Sequence, residues 1–260
     1  MIYKKGVEVR HILTIVLSGV VTIAFTACGG DDSSSGGTVD NTITHNGVEY
    51  KTVTSPYTGR VWLDRNLGAA RVCDSYDDIA CYGDYYQWGR DADGHEDSTS
   101  TTTATLASSI TPADDMFTRS TLSPYDWVAS GVDDSGALRA AEWSKTDGSS
   151  ICPAGFRVPT HDELLAELFN SGSAEIDKDS TQKSGNSDDR RVNAFNSFLE
   201  LPTSGDRKQD GAMENEDAIG ALWSVTADTH KSGFVGWQQT SATYWGSYRA
   251  YGLNVRCIKE

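Results

Sequence analysis

The densest grouping of reactive side chains in the chain is Asp91-Ala92-Asp93-Gly94-His95-Glu96-Asp97, four carboxylates and an imidazole within seven residues. Oxygen-rich loops of this kind hold calcium, a hard cation that takes six to eight oxygen ligands. Asp91, Asp93, Glu96 and Asp97 are therefore the expected ligands, although the glycine does not sit where a helix–loop–helix calcium loop needs it. A second fragment, Asp206-x-Lys208-x-Asp210-Gly211, places its glycine well but puts a lysine at a ligand position. Calcium is the one cofactor these residues suggest. Glu163, Asp206, Glu214 and Glu216 could supply the paired carboxylates of a glycoside hydrolase, a chemistry decided by their separation in space. Neither a Gly-x-Ser-x-Gly nucleophile elbow nor a phosphate-binding glycine loop occurs.

A second chemistry is recognition by flat aromatic faces. Trp127, Trp143, Trp237, Tyr244, Trp245, Tyr248 and Tyr251 stand in turn-rich stretches beside Ser, Thr, Asn and Gly. Rigid aromatic rings with adaptable polar neighbours suit carbohydrate or peptide surfaces, and these seven are the expected ligand contacts. Trp62, Trp88, Trp223, Tyr85 and Tyr86 are expected to fill the core instead. Asp64, Arg65 and Asn66 read as a polar turn, with Asp and Asn satisfying backbone amides and Arg65 paired to a buried carboxylate.

The elements that would position these groups follow from patterning. Val48 to Val53 and Arg60 to Leu63 alternate around Ser55-Pro56-Tyr57-Thr58-Gly59, which predicts a β-hairpin. Apolar spacings of three and four predict a helix over Asp78 to Arg90, weakened by Gly83. Asp91 to Ser150 is irregular and long enough to be a functional insert. Thr160 and Glu163 form a capping box that starts a helix at His161, with Leu164, Leu165, Leu168 and Phe169 as its buried stripe and Asn170-Ser171-Gly172 as its stop. A further helix is expected from Asp188 to Leu199, and strands over Leu222 to Thr226, Phe234 to Gln238 and Leu253 to Ile258.

The first residues predict export. Lys4, Lys5 and Arg10 precede an apolar run from Ile12 to Phe25, too short for a spanning helix and suited to a signal peptide. Phe25-Thr26-Ala27-Cys28 resembles the lipobox of bacterial lipoproteins, and Gly29 to Gly37 is a flexible Gly/Ser/Asp tether. The resemblance implies a lipidated Cys28, cleavage after residue 27, and an outer-membrane or cell-surface address, since Gly29 and not Asp follows the cysteine. The expected organisation is a leader over 1–27, a tether over 28–41 and one domain over 42–260 with its insert at 91–150. Losing three cations and one anion with the leader takes the formal charge from −15 to −17. A surface that acidic repels nucleic acid, which is set aside as a partner.

Cys73, Cys81, Cys152 and Cys257 then form an even set in an oxidising compartment, where disulfides are expected. Three connectivities are open, and the short first separation and terminal last cysteine favour Cys73–Cys81 with Cys152–Cys257. A zinc site fits poorly: there is no Cys-x-x-Cys and no histidine within four residues of any of them.

Thr58-Gly59-Arg60-Val61-Trp62-Leu63-Asp64-Arg65-Asn66-Leu67-Gly68-Ala69, Cys81 to Arg90, Cys152-Pro153-Ala154-Gly155-Phe156-Arg157-Val158-Pro159-Thr160 and Val255-Arg256-Cys257 occur in this order from about Thr42 to the C-terminus. In these blocks the chain resembles the Fibrobacter succinogenes major paralogous domain, a family similar to the C-type-lectin-like superfamily and to sulfatase-modifying-factor domains. The resemblance implies an α+β, C-type-lectin-like fold: small twisted antiparallel sheets, paired N- and C-terminal strands, two or three flanking helices and long variable loops. It supplies no settled activity. The Glu-Pro-Asn, Gln-Pro-Asp and Trp-Asn-Asp triplets of calcium-dependent lectins are missing, and no catalytic cysteine pair is left over. The function expected is a non-enzymatic surface binding or adhesion module for a glycan or extracellular polymer; a carboxylate- or metal-assisted hydrolase and a structural envelope protein are the alternatives.

Overall fold

The computed structural model describes residues 42–169, 189–243 and 246–260. Its architecture is mixed, mostly small antiparallel sheets with few helices, compatible with an α+β class. No helix among the described residues is long and apolar enough to cross a membrane.

β1 (Ile43–His45) and β2 (Val48–Tyr50) form a hairpin, and β3 (Thr52–Thr54) and β4 (Val61–Leu63) form the next. The run Val48 to Val53, expected as one strand, is thus divided between two hairpins. Asn46-Gly47, with φ of 48° and 79°, makes the first turn, because only residues that tolerate left-handed backbone fit a two-residue hairpin loop. The turn of the second is tied to a helix: Ser55 Oγ donates to Glu167 Oε2 at 2.6 Å, and the Thr58 hydroxyl donates to Oε1 of the same buried carboxylate.

The predicted helix over Asp78 to Arg90 is not formed. A single 3₁₀ turn, Ile79–Cys81, is followed by β5 (Tyr86–Gln87). Gly83 adopts φ 80°, and a Cβ there would lie 2.3 Å from the Leu67 carbonyl oxygen, so this segment needs a left-handed glycine pressed on its neighbour. Its aromatics are buried on several sides of a threading chain: Tyr85 donates to the Ser204 carbonyl at 2.6 Å and Trp88 to the Ser224 carbonyl at 2.8 Å.

Within the long insert, β6 (Thr102–Thr103) and β7 (Phe117–Thr118) pair in parallel, and α1 (Ala137–Trp143) closes it. After β8 (Phe156–Arg157) comes α2 (His161–Leu168), opened by the expected capping box. Leu164 and Leu168 are fully buried, with Leu165 and Phe169 packed beside them. The expected stop at Asn170-Ser171-Gly172 lies outside the described residues, as does the start at Asp188 of the next helix. That helix, α3 (Arg190–Phe195), ends sooner than expected, because the chain turns at Asn196 well before Pro202.

The rest is strand: β9 (Asp206–Arg207), β10 (Met213–Glu214), β11 (Ile219–Ala227), β12 (Lys231–Gln238), β13 (Ala242–Thr243), β14 (Gly246–Tyr248), β15 (Gly252–Leu253) and β16 (Ile258–Lys259). The expected final strand is divided, with only its ends laddered. β16 enters the sheet β3-β4-β16-β8, where Ile258 pairs with Trp62 and Arg157, so the last strand is held between β4 and β8. The two disulfides are Cys73–Cys81 and Cys152–Cys257.

Two large apolar cores result, beside a small cluster of Cys73, Cys81 and Tyr82. Leu63, Trp88, Trp143, Cys152, Trp223, Leu253 and Cys257 belong to one. Trp62, Leu164, Leu199, Leu222, Val235 and Trp237 belong to the other. The β11–β12 ladder lies between them.

Candidate functional site

Side chains opposite one another across an antiparallel pair share a face. In the β11–β12 ladder Gly220 faces Trp237 and Leu222 faces Val235, turned toward the core under α2 and α3. The other face carries the pairs Ile219 with Gln238, Ala221 with Gly236, and Trp223 with Phe234. Its middle pair is the smallest, so the sheet is hollowed there. A Cβ at Gly236 would come 3.0 Å from the Phe234 ring, which leans over that position.

Over this hollow lies a cleft of about 350 Å³, floored by Ile219, Ala221, Phe234 and Leu253 and walled by Tyr248 and Tyr251. β14 holds the wall in place by pairing with β12, Lys231 opposite Tyr248. Gln238, Ser241, Thr243 and Ser247 supply amide and hydroxyl groups along the rim. Two ammonium groups brace the tyrosines: Lys231 Nζ stands 4.8 Å from the Tyr248 ring centre and Lys208 Nζ 5.2 Å from that of Tyr251. Burial opposes the Lys208 charge, but the hydrogen bond to Asp206, 2.8 Å away, more than offsets it and holds the pKa above its ordinary value. Burial also pushes the Tyr251 hydroxyl up, so it is a neutral donor and acceptor at physiological pH.

The predicted aromatic contacts divide. Tyr248 and Tyr251 are half-buried and line the cleft. Trp127 and Trp143 are core residues, both at 0% exposure, which corrects their expected role as surface contacts; Trp237 is 2% exposed and is nonetheless among the residues that line the cleft. Trp127 Nε1 donates to the Trp88 carbonyl at 2.9 Å and Trp143 Nε1 to the Arg90 carbonyl at 3.2 Å, so both polar handles are used internally. The Trp237 indole sits over Gly220, where a Cβ would lie 2.2 Å from its ring. Tyr244 and Trp245 lie outside the described residues. The residues expected to be core, Trp62, Trp88, Trp223, Tyr85 and Tyr86, are at most 3% exposed.

The acidic loop does not gather its four carboxylates. Asp93, His95 and Glu96 bring ligand-type atoms within 4.8 Å of one another, while Asp91 and Asp97 stand outside that group. His95 is fully buried; its Nε2 accepts the Gln87 N–H at 3.0 Å, which leaves Nδ1 to donate to Asp93 at 2.7 Å. Asp93 also takes Arg90 Nε at 2.7 Å, and Asp97 accepts the Thr99 amide and hydroxyl at 2.7 Å. These side chains are engaged in folding the loop over the buried Arg90.

The proposed catalytic carboxylates are dispersed in role. Glu163 is held by Arg157 in a two-pronged bridge at 2.8 Å and by the Thr160 amide. Burial raises its pKa, but these hydrogen bonds outweigh it and bring the carboxyl to about 2. Glu214 and Glu216 are exposed. Asp206 is the carboxylate that lines the cleft, and it is paired with Lys208 and with Asn215 at 2.8 Å. In the Asp64-Arg65-Asn66 turn, Asn66 bonds the Tyr82 carbonyl at 3.0 Å and Arg256 at 3.2 Å instead of backbone amides.

The insert carries a buried network that the sequence reading missed. Arg139 binds Asp126 through both Nη atoms at 2.6 and 2.8 Å and Asp133 through Nε at 3.0 Å, and Arg249 reaches Asp126 at 3.3 Å. Both guanidinium groups lie over the Trp88 ring. A wider hollow of about 700 Å³ borders this region between Leu106, Leu122 and His230, without an aromatic wall.

Comparison of the chain with protein-family models, curated proteins and solved structures finds no match.

Proposed function

We propose that the domain is a non-enzymatic binding module that takes a sugar ring of a glycan or extracellular polymer in the cleft above Ala221 and Gly236. One observation carries this reading: two tyrosine rings wall an apolar hollow whose rim is amide and hydroxyl. A pyranose has an apolar C–H face and an equatorial belt of hydroxyls, so an aromatic wall and a polar rim match both of its surfaces. The pairing of Asp206 with Lys208 and Asn215 favours binding over hydrolysis, since the cleft-lining carboxylate is already engaged.

The leader, the lipobox-like Cys28 and the tether support an exported lipoprotein whose binding face stands off a membrane. The blocks that resemble the Fibrobacter succinogenes major paralogous domain, together with the closure of β16 on β4, support a C-type-lectin-like scaffold. A glycan and polysaccharide screen on the oxidised protein, with and without calcium, tests the function. Saturable binding that Tyr251→Ala weakens supports it. Hydrolysis of a screened polysaccharide would favour the enzyme reading.

A further inference from the structure

Every well-buried guanidinium whose bonds have been described spreads its N–H groups over several acceptors, except one. Arg90, Arg139, Arg207 and Arg249 each donate to multiple carboxylate, carbonyl or hydroxyl oxygens, and Arg256 donates to Asn66 Oδ1 and to the carbonyls of Leu63 and Leu199. Arg65 differs. Its side chain is 14% exposed, yet its one hydrogen bond is a long 3.5 Å contact from Nη1 to Asp64 Oδ2, and its Nε is buried with no acceptor. Leaving even one buried donor of a charged group unpaired is costly, and the Arg65 Nε calls for an explanation.

The surroundings supply one. Arg65 lies against a hollow of about 480 Å³, with Lys51 and Glu49 among its lining residues. The guanidinium stacks on the Tyr50 ring, 5.1 Å from its centre, and the ring is itself anchored because its hydroxyl accepts the Gly68 N–H at 2.9 Å. The Lys51 carbonyl accepts the Asp64 N–H at 2.9 Å, which fixes Lys51 beside the Asp64-Arg65 turn. The fork is therefore oriented before any ligand arrives, the condition under which binding loses least entropy.

The charges leave a surplus. The hollow's own lining holds two cations, Arg65 and Lys51, and one carboxylate, Glu49; Asp64 and, next to the buried Arg256, Glu200 lie behind it. Arg256 hydrogen-bonds only neutral oxygens, and burial lowers its pKa to about 9, with the Asp64 and Glu200 carboxylates opposing that shift. The lining of the hollow thus carries one more cation than carboxylate, in a chain whose formal charge is −15. A planar fork with a lysine point charge beside it matches the several oxygens of one phosphate group better than a single carboxylate.

We propose that the hollow beside β2 is a phosphate-binding site, in which Arg65 takes two oxygens of the group and Lys51 a third. The site is separate from the tyrosine-walled cleft, and its success or failure is independent of the glycan reading. The same phosphate chemistry is presented by free inorganic phosphate and by a lipid headgroup, so both are probed.

The test is a titration of the purified full chain with inorganic phosphate, followed by NMR or calorimetry at low ionic strength. Parallel titrations use acetate and dihexanoylphosphatidylglycerol, the latter below its micelle concentration. Saturable phosphate binding that Arg65→Gln weakens by about tenfold or more supports the site. Tighter binding of the short-chain lipid than of inorganic phosphate assigns it to a headgroup, and the reverse to a soluble anion. Because Arg65→Gln also removes the stack on Tyr50, Lys51→Gln, at an exposed side chain, provides a variant that keeps the fold; it should weaken phosphate by about threefold. No saturable binding of either phosphate probe, binding indifferent to both substitutions, or acetate bound as tightly as phosphate would overturn the proposal.

Discussion

The rings of Tyr248 and Tyr251 stand 6.2 Å apart with their planes 32° from parallel, and both border the hollow made by Ala221 and Gly236. Tyr248 is further stacked on Tyr125 at 4.6 Å. A wall assembled this way is rigid before ligand arrives, and its polar tips remain at the rim. Tyr251→Ala should therefore weaken the glycan found by screening by about tenfold, on the scale of about 1–1.5 kcal/mol for a well-placed aromatic contact. The melting temperature should fall only modestly. Gly236→Leu, which fills the floor against Phe234, should abolish binding while the far-ultraviolet circular dichroism is kept; undiminished affinity in both variants would place the ligand elsewhere.

The buried tryptophans behave oppositely. Trp127→Ala, Trp143→Ala and Trp237→Ala should each cost roughly 3 to 5 kcal/mol of stability, as expected for removing a fully packed indole. Chemical denaturation resolves the difference, because a surface tryptophan would give less than about 1 kcal/mol.

Removal of the two staples should be unequal. Cys152–Cys257 closes a separation of 105 residues and Cys73–Cys81 one of 8. Loop-closure entropy puts their contributions at about 5 and about 2.5 kcal/mol. Paired Cys→Ala substitutions followed by urea unfolding measure both, and equal losses would mean that unfolded-state entropy is not the main cause.

Asp84 sets a pH dependence. Burial, and then the nearby Glu96 carboxylate, raise its pKa to about 7 from 3.8. The folded state thus holds this proton more tightly than the unfolded chain does. The stability that the group contributes is full below about pH 3.8 and declines as pH rises to about 7, after which it is level. Asp84→Asn should raise stability at pH 8 by roughly 1–2 kcal/mol, a value discounted for partial exposure, and give no gain at pH 3.5. Thermal unfolding at the two pH values checks the sign.

The anchor is tested by fractionation. Cys28→Ala should move the protein from the membrane fraction to the soluble one; unchanged membrane association would remove the lipoprotein reading.

Much of the local structure was legible because it rests on short-range chemistry. Thr160 and Glu163 cap α2 through bonds spanning three residues, and the strands expected over 222–226 and 234–238 lie within β11 and β12. The pairing of Cys152 with Cys257 followed from counting and position. The Asn46-Gly47 turn signal was present too, although alternation over 48–53 concealed it. The helix expected over 78–90 shows the limit of periodicity. Aromatics three and four apart are also produced by a chain that threads a core and buries side chains on several sides.

The site was only partly legible. The sequence by itself determined residue types: an acidic chain with aromatic, glycine-rich strands, an apolar N-terminal run and an even set of cysteines beyond Cys28. Tertiary structure alone decided that Trp127 and Trp143 point inward to backbone carbonyls, that Tyr248 and Tyr251 face a hollow, and that the Arg65 Nε is buried without an acceptor. The reason is that exposure and hydrogen-bond satisfaction depend on partners far along the chain. Trp127 is covered by Trp88, Arg90 and Arg139, and the hollow exists because Ala221 and Gly236, fifteen residues apart, are brought opposite one another by a strand register. No local pattern of residues carries that information.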